Sequence, residues 1–148
     1  MATVAAATCA AGTLRRATRS VSRLYDAHLA RAGLTTTQYS LLVSLERRRD
    51  PMPLTELAAE QVFERTSLYR ALEPLRREGL VALTAGPGRT KHAALTPQGA
   101  RRVAEARPHW QEAQDAFLRE FGRSAWSSLS KQLSDIVTAV RTVPTLGE

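Results

Sequence analysis

Between Gly79 and Pro97 the chain has room for only one kind of structure. Gly79 supplies a helix-ending residue, and Leu80-Val81-Ala82-Leu83-Thr84 then alternates as a strand does. Ala85-Gly86-Pro87-Gly88 is a turn, and Arg89 to Leu95 returns as a second strand. Thr96-Pro97 opens the next helix with a capping hydroxyl and a proline at the first helical position, where no N–H is needed. A hairpin with a Gly/Pro tip, closed on both sides by helix boundaries, therefore fixes the middle of the chain.

The helix that ends at Gly79 opens near Glu64. Leu68, Leu72 and Leu75 fall at i, i+4 and i+7 and form one buried stripe. The other face shows Arg65, Thr66, Ser67, Tyr69, Arg70 and Arg77. Short hydroxyls and arginines at a helix start suit phosphates and base edges, because free N–H groups and the helix dipole favour anions there. Taken alone, the same pattern describes any amphipathic helix with a solvated face. Pro74 lies inside and must remove one backbone hydrogen bond, which predicts a local kink. Just upstream, Thr55 to Gln61 reads as a short helix with Leu57, Ala58 and Val62 inward. Two helices joined by a tight turn, the second with a polar opening and a hairpin behind it, make a winged helix-turn-helix. Arg65, Arg70, Arg76, Arg77, Arg89 and Lys91 stand against only Glu73 and Glu78, so positive charge gathers where DNA contact needs it. Arg89 and Lys91 sit on the hairpin wing, and a wing arginine suits the negative potential of a narrow minor groove.

The flanks are helical. Beyond a frayed start, Thr8 is a candidate N-cap for a helix to about Ala32, with Leu14, Thr18, Val21, Tyr25 and His28 on one stripe and Leu24 and Leu29 broadening it. Arg15, Arg19 and Arg23 form a ridge on another face, which is most often simply solvated. Gly33 ends this helix. Thr35-Thr36-Thr37-Gln38 offers caps for a second, expected over Thr36 to Arg49, with Tyr39, Leu42, Val43 and Leu45 buried. Pro51 and Pro53 forbid its continuation and leave Met52 to Leu54 as a brief edge strand. From Pro97 a long helix should reach Phe121 along Val103, Ala106, Trp110, Ala113 and Phe117, with Pro108 able to bend it. Gly122 breaks it. Ser124 is expected to cap a last helix to about Thr142, with Leu129, Leu133, Ile136 and Val140 on one face, before a loose tail at Pro144 and Gly147.

The fold expected is mainly α with a small β-hairpin wing, a single domain over residues 1–148. Residues 36–96 form the winged helix-turn-helix lobe. The helices of 8–32 and 97–142 carry more apolar surface than such a lobe needs, which points to a helical homodimer interface, the alternative being that they pack on their own chain.

Charge supports a polyanionic partner. The chain of 148 residues carries a net +7, and its only lysines are Lys91 and Lys131. Arginine is the better residue for bidentate contacts to phosphate and guanine, although an arginine-rich proteome would produce the same bias. Cys9 is the only cysteine, which excludes an intrachain disulfide and fits a reducing cytoplasm. No run approaches the ~18 apolar residues of a membrane span, and Met1 to Ala7 lacks the basic leader of a signal peptide. His28, His92 and His109 are too scattered for a metal site. No nucleophile–base constellation, phosphate loop or glycine fingerprint is present, so neither an enzyme nor a cofactor is expected.

The segments Gly33-Leu34-Thr35-Thr36-Thr37-Gln38-Tyr39, Leu54-Thr55-Glu56-Leu57-Ala58, Arg65-Thr66-Ser67-Leu68, Leu72-Glu73-Pro74-Leu75-Arg76-Arg77-Glu78-Gly79-Leu80-Val81 and Leu95-Thr96-Pro97-Gln98-Gly99 together resemble the MarR family of bacterial transcriptional regulators, over nearly the whole chain. The family's wing usually carries Asp-X-Arg. Arg89 stands at the matching position, but Pro87 replaces the aspartate and removes a partner for fixing the wing arginine. The resemblance implies a triangular homodimer held by the terminal helices, with a recognition helix in each major groove of a pseudo-palindromic operator and a wing at the minor groove. It also implies repression released by a small aromatic or phenolic ligand. Arg65, Thr66, Ser67, Tyr69, Arg70, Arg89 and Lys91 are then the DNA-binding candidates, and His28, Tyr39 and Trp110 the ligand-pocket candidates, each also suited to be plain core or interface filler. Two other readings stay open. Cys9 is a candidate redox sensor, as in the organic-hydroperoxide branch, which pairs a first-helix cysteine with tyrosines. Tyr25 fits that branch, whereas Arg15 and Thr36 stand at its other tyrosine positions and Cys9 falls about two residues early. The remaining reading is an architectural DNA-binding protein without an effector.

Overall fold

The computed structural model describes residues 9–144. Among these, six α-helices and three short strands follow in the order α1 (Ala10–Leu29), α2 (Thr36–Glu46), β1 (Met52–Pro53), α3 (Leu54–Gln61), α4 (Arg65–Arg77), β2 (Val81–Ala85), β3 (Lys91–Leu95), α5 (Pro97–Phe121) and α6 (Arg123–Val140). The chain divides into two compact units, Met1–Gln111 and Glu112–Glu148. Thr8, expected to cap α1, and Gly147 of the expected tail lie outside the described residues. Cys9 holds the position just ahead of α1.

Local chemistry sets most boundaries of the first unit. A 3-10 turn over Ala30–Ala32 carries α1 into Gly33, whose φ of 70° is open to glycine at little cost. Thr35 and Gln38 form a reciprocal capping box at the start of α2. Asp26 of α1 reinforces that start, accepting from the Thr36 N–H at 2.7 Å and its hydroxyl at 2.6 Å. Helix α2 ends at Glu46, short of the expected Arg49. Met52 and Pro53 must be extended to pair with Ala93 and His92, and a proline disfavours helix in the residue before it, so the chain unwinds over Arg47 to Asp50.

Helix α2 is the hub. It packs on α1, α3, α4 and β3, and Tyr39, Leu41, Leu42, Ser44 and Leu45 are all buried. Leu41 and Ser44 lie off the single stripe read from the sequence, because a helix covered on several sides shows no single apolar face. The Ser44 hydroxyl is satisfied by Gln61 Nε2 at 2.8 Å. Val43, expected inside, is only half-buried. The sheet has the order β1-β3-β2 and is antiparallel throughout: the brief edge strand expected over Met52 to Leu54 is present over Met52–Pro53, where it pairs with β3 of the hairpin, while Leu54 already opens α3.

The turn between α3 and α4 overturns one expectation. Val62 is not inward: it is 64% exposed and adopts a left-handed backbone conformation, φ 54°, at the end of α3. A β-branched residue there is strained by roughly 1–2 kcal/mol, and little burial offsets it. Val62→Gly is expected to raise stability by about 0.5–1 kcal/mol, after subtracting glycine's extra chain entropy. Thermal unfolding checks this, and an unchanged or lower Tm would show that the turn is not strained.

Leu68, Leu72 and Leu75 of α4 are fully buried, as their spacing requires. The helix runs unbroken through Pro74. It closes in a Schellman arrangement, with Gly79 at φ 73° and the Leu80 N–H donating to the Leu75 carbonyl at 2.9 Å. Thr96 then ties the hairpin to the next helix: its hydroxyl donates to the Gly79 carbonyl at 2.6 Å and accepts from the Gly99 N–H at 3.0 Å, capping α5.

In the second unit, Phe117 stacks on Phe121 with ring centroids 5.4 Å apart and receives Trp126 edge-on at 5.2 Å. Gly122, with φ 99°, takes the N-cap position of α6 in place of Ser124, which lies inside the first turn. Leu129 and Leu133 are half-buried, whereas Ile136 and Val140 are 41% and 62% exposed. No residue of α6 is buried. The expected apolar stripe is therefore present and largely uncovered. On α1, Tyr25 and Leu29 are buried but Val21 is exposed.

Candidate nucleic-acid interface

With the three leucines of α4 turned inward, helical geometry puts Thr66, Arg70 and Arg77 on the opposite, outward line. Arg65 and Tyr69 lie to one side of that line. They line a groove of about 550 Å³ whose other wall is the wing, through Arg89, Thr90 and Lys91. Its floor is apolar, formed by Leu54, Ala58 and Phe63 among others. The structure thus brings Arg65, Tyr69, Arg89 and Lys91 together, and it leaves Arg65, Thr66, Ser67, Arg70, Arg89 and Lys91 exposed.

The cations of this region sort into two classes. Glu73 draws Arg76 to 2.7 Å and Arg77 to 3.8 Å, and the Arg76 hydrogen bond holds the Glu73 carboxyl below its usual range. Glu78 pairs with Arg102 at 3.3 Å. Both carboxylates of the region are thereby committed to the C-terminal half of α4 and to α5. Among the described residues, Arg65, Arg70 and Arg89 have no ion pair. A cation without a protein partner breaks no ion pair when it meets a phosphate, whereas Arg76 and Arg77 must first give up Glu73. The local excess of charge read from the sequence resides in the first two turns of α4 and in the wing.

The wing is held by means other than an aspartate. The Gly86 N–H donates to the Thr90 carbonyl at 2.8 Å, and the Thr90 hydroxyl donates to the Pro87 carbonyl at 2.7 Å, so Thr90 closes the turn that Pro87 opens. Gly88 has a φ of 70°. Beneath the tip lies His92: a Cβ on Gly86 would meet its ring Cε1 at 2.0 Å. Lys91 Nζ stands 5.3 Å from the centroid of the Tyr69 ring.

A second cavity, about 290 Å³, is lined by Tyr39, Ser40, Val43, Arg47, Gln61, Arg107 and Trp110. Tyr39 and Trp110 stack with centroids 6.2 Å apart. Burial pushes the Tyr39 phenol above its ordinary range, with Arg107 opposing the shift. Arg107 itself is bonded to Glu46 at 2.7 Å. Of the three pocket candidates the structure joins Tyr39 and Trp110. His28, half-buried on α1, does not line this cavity. The sequence argument missed Arg107, although it lies three residues before Trp110 and so on the same helical face. Cys9 is exposed.

No protein-family model matches the chain, and none of the curated proteins matches it. Solved structures do. The DNA complex of the M. tuberculosis transcriptional regulator MosR is 35% identical, with a TM-score of 0.82 over 90% of this chain and 97% of that one. A MarR-family transcriptional regulator from Rhodococcus sp. RHA1 is 21% identical, with a TM-score of 0.76 over 89% of this chain and 96% of its own, and shares the fold. The repressor CouR, known from Rhodococcus jostii RHA1 and bound to p-coumaroyl-CoA, is 26% identical, with a TM-score of 0.74 over 84% of this chain and 88% of its own.

Proposed function

This chain belongs to the MarR family of transcriptional regulators, and from that premise we propose that it acts in the cytoplasm as a homodimeric, sequence-specific DNA-binding repressor that a small ligand releases. The helices within 8–32 and 97–142 pair two copies, and the lobe of 36–96 in each carries α4 into a major groove of a pseudo-palindromic operator. Arg65, Thr66, Ser67 and Arg70 contact bases and nearby phosphates, supported by Tyr69, while Arg89 enters the minor groove and Lys91 adds phosphate attraction. The observation that carries this reading is the charge sorting: the carboxylates neutralise the far end of α4 and leave its opening and the wing unpaired. The uncovered apolar residues of α6 support the pairing of copies. No helix among the described residues is long and apolar enough to cross a membrane.

The cavity beside Tyr39 and Trp110 is the proposed effector seat, with Arg47 and Arg107 at its rim. It suits a small aromatic anion, whose ring the aromatic pair takes and whose charge Arg107 and Arg47 receive in exchange for Glu46 and Glu60. Release follows if that anion favours a form of the dimer with wrongly spaced recognition helices.

Selection of bound genomic DNA with the purified protein tests the function. A recovered motif should be preferred about 10³-fold or more over random duplex. Equal affinity for both would favour the architectural reading instead. Arg89→Ala is expected to weaken the complex and to flatten the dependence of log K on log salt by about 0.9 for each phosphate neighbour lost. Unchanged affinity and slope would remove the wing from the interface.

A further inference from the structure

We infer that Tyr69 is a positioning residue, a latch that holds the wing to the recognition helix through Lys91, and not a reader of DNA. The inference deepens the DNA-binding reading above and rests on it. Tyr69 lies off the outward line of α4, turned toward the wing and half-buried, while Thr66 and Arg70 project away from the leucine stripe. Its ring carries the Lys91 ammonium at 5.3 Å, within reach of a cation–π attraction. Lys91 opens β3, directly after the turn that presents Arg89. Both residues line the groove between α4 and the wing.

The rest of the wing gives such a tie a purpose. Pro87 offers no carboxylate, and the tip beyond the paired strands is closed by Thr90 through its hydroxyl to Pro87 and its carbonyl to Gly86. Arg89 has no ion pair among the described residues. Across the groove, Lys91 on Tyr69 links the arm that enters the minor groove to the helix that enters the major groove. Lys91 as a whole is exposed and so remains available to a phosphate.

The latch is read first in the free, full-length protein by NMR. The Lys91 ε-methylene signals are expected upfield, within the ring current of Tyr69. Tyr69→Leu should return them to ordinary positions, and Tyr69→Phe should keep them shifted. On a duplex carrying the selected site, Tyr69→Leu should weaken binding about two- to five-fold and lose hydroxyl-radical protection beneath the wing, with guanine-methylation interference beneath α4 unchanged. Phenylalanine should rescue both, and Tyr69→Leu should cost nothing more in a Lys91→Gln background. Unshifted Lys91 signals in the wild type, a phenylalanine variant as damaged as the leucine one, or additive losses would overturn the latch. Failure of the wild type to prefer any duplex would overturn the DNA-binding reading instead, and the free-protein spectrum would still decide whether Tyr69 holds Lys91.

Discussion

Replacing Arg70 with alanine is expected to weaken binding at the cognate site by about 1–3 kcal/mol. Arg70 projects from the outward line of α4, is exposed, and has no carboxylate to satisfy among the described residues. Its guanidinium is therefore free to take a guanine edge in a bidentate pair. Titrating cognate and random duplexes side by side separates two cases. A loss confined to the cognate site identifies a base contact. An equal loss on all sequences identifies a phosphate contact. Unchanged binding to both would exclude Arg70 from the interface and remove the outward line of α4 as its centre. Arg77→Ala, whose guanidinium already faces Glu73, should cost far less.

Gly99→Val is expected to destabilise the fold by about 3 kcal/mol or more. A Cβ at position 99 would lie 2.1 Å from the Leu80 carbonyl oxygen and 2.6 Å from Leu95 Cδ1. The first obstacle is backbone, fixed by the hydrogen bond from the Thr96 N–H to the same carbonyl at 3.1 Å. No rotamer change relieves it, so α5 must back away from the end of α4. Denaturant unfolding measures the loss, with Gly99→Ala as the milder companion. A midpoint unchanged in both variants would mean that the two segments do not approach this closely.

Much of this was legible in the residues because local rules decide it. Gly33 and Gly79 end helices by their backbone freedom, Thr35 and Thr96 start them by capping, and Leu68, Leu72 and Leu75 repeat at the helical period. What escaped was decided by distant partners. Helix α2 ends early because Met52 pairs with Ala93 across the sheet, and it buries Leu41 and Ser44 because neighbours cover several of its sides. Val62 was misplaced because α3 ends at Gln61, so the helical spacing that puts Leu57 inside no longer governs a residue in a left-handed turn. Within the candidate interface, residue type was readable but availability was not. The pairing of Arg76 with Glu73 is a matter of helical spacing, whereas Glu78 finds Arg102 at a separation of 24 residues and Glu46 finds Arg107 at 61. Only the folded chain shows which arginines remain free.

The ties at the far end of α4 also bear on how its first turn can move. Thr96 grips the Gly79 carbonyl at 2.6 Å, Gln98 donates to the Glu78 carbonyl at 3.2 Å, and Arg102 holds the Glu78 carboxylate. The opposite end has no side-chain cap. Packing of Leu68 and the Tyr69–Lys91 contact hold the opening turn in place of a cap, so a tilt about the Gly79 end carries that turn through an arc. Arg65 lies roughly 21 Å from Gly79 at 1.5 Å per residue, so a tilt of about 5° at the fulcrum displaces it by nearly 2 Å. That exceeds the narrow range of distances over which a hydrogen bond survives. On the proposed DNA-binding reading, a small adjustment where α5 begins is thus enough to move Arg65 out of hydrogen-bond register with a base or phosphate.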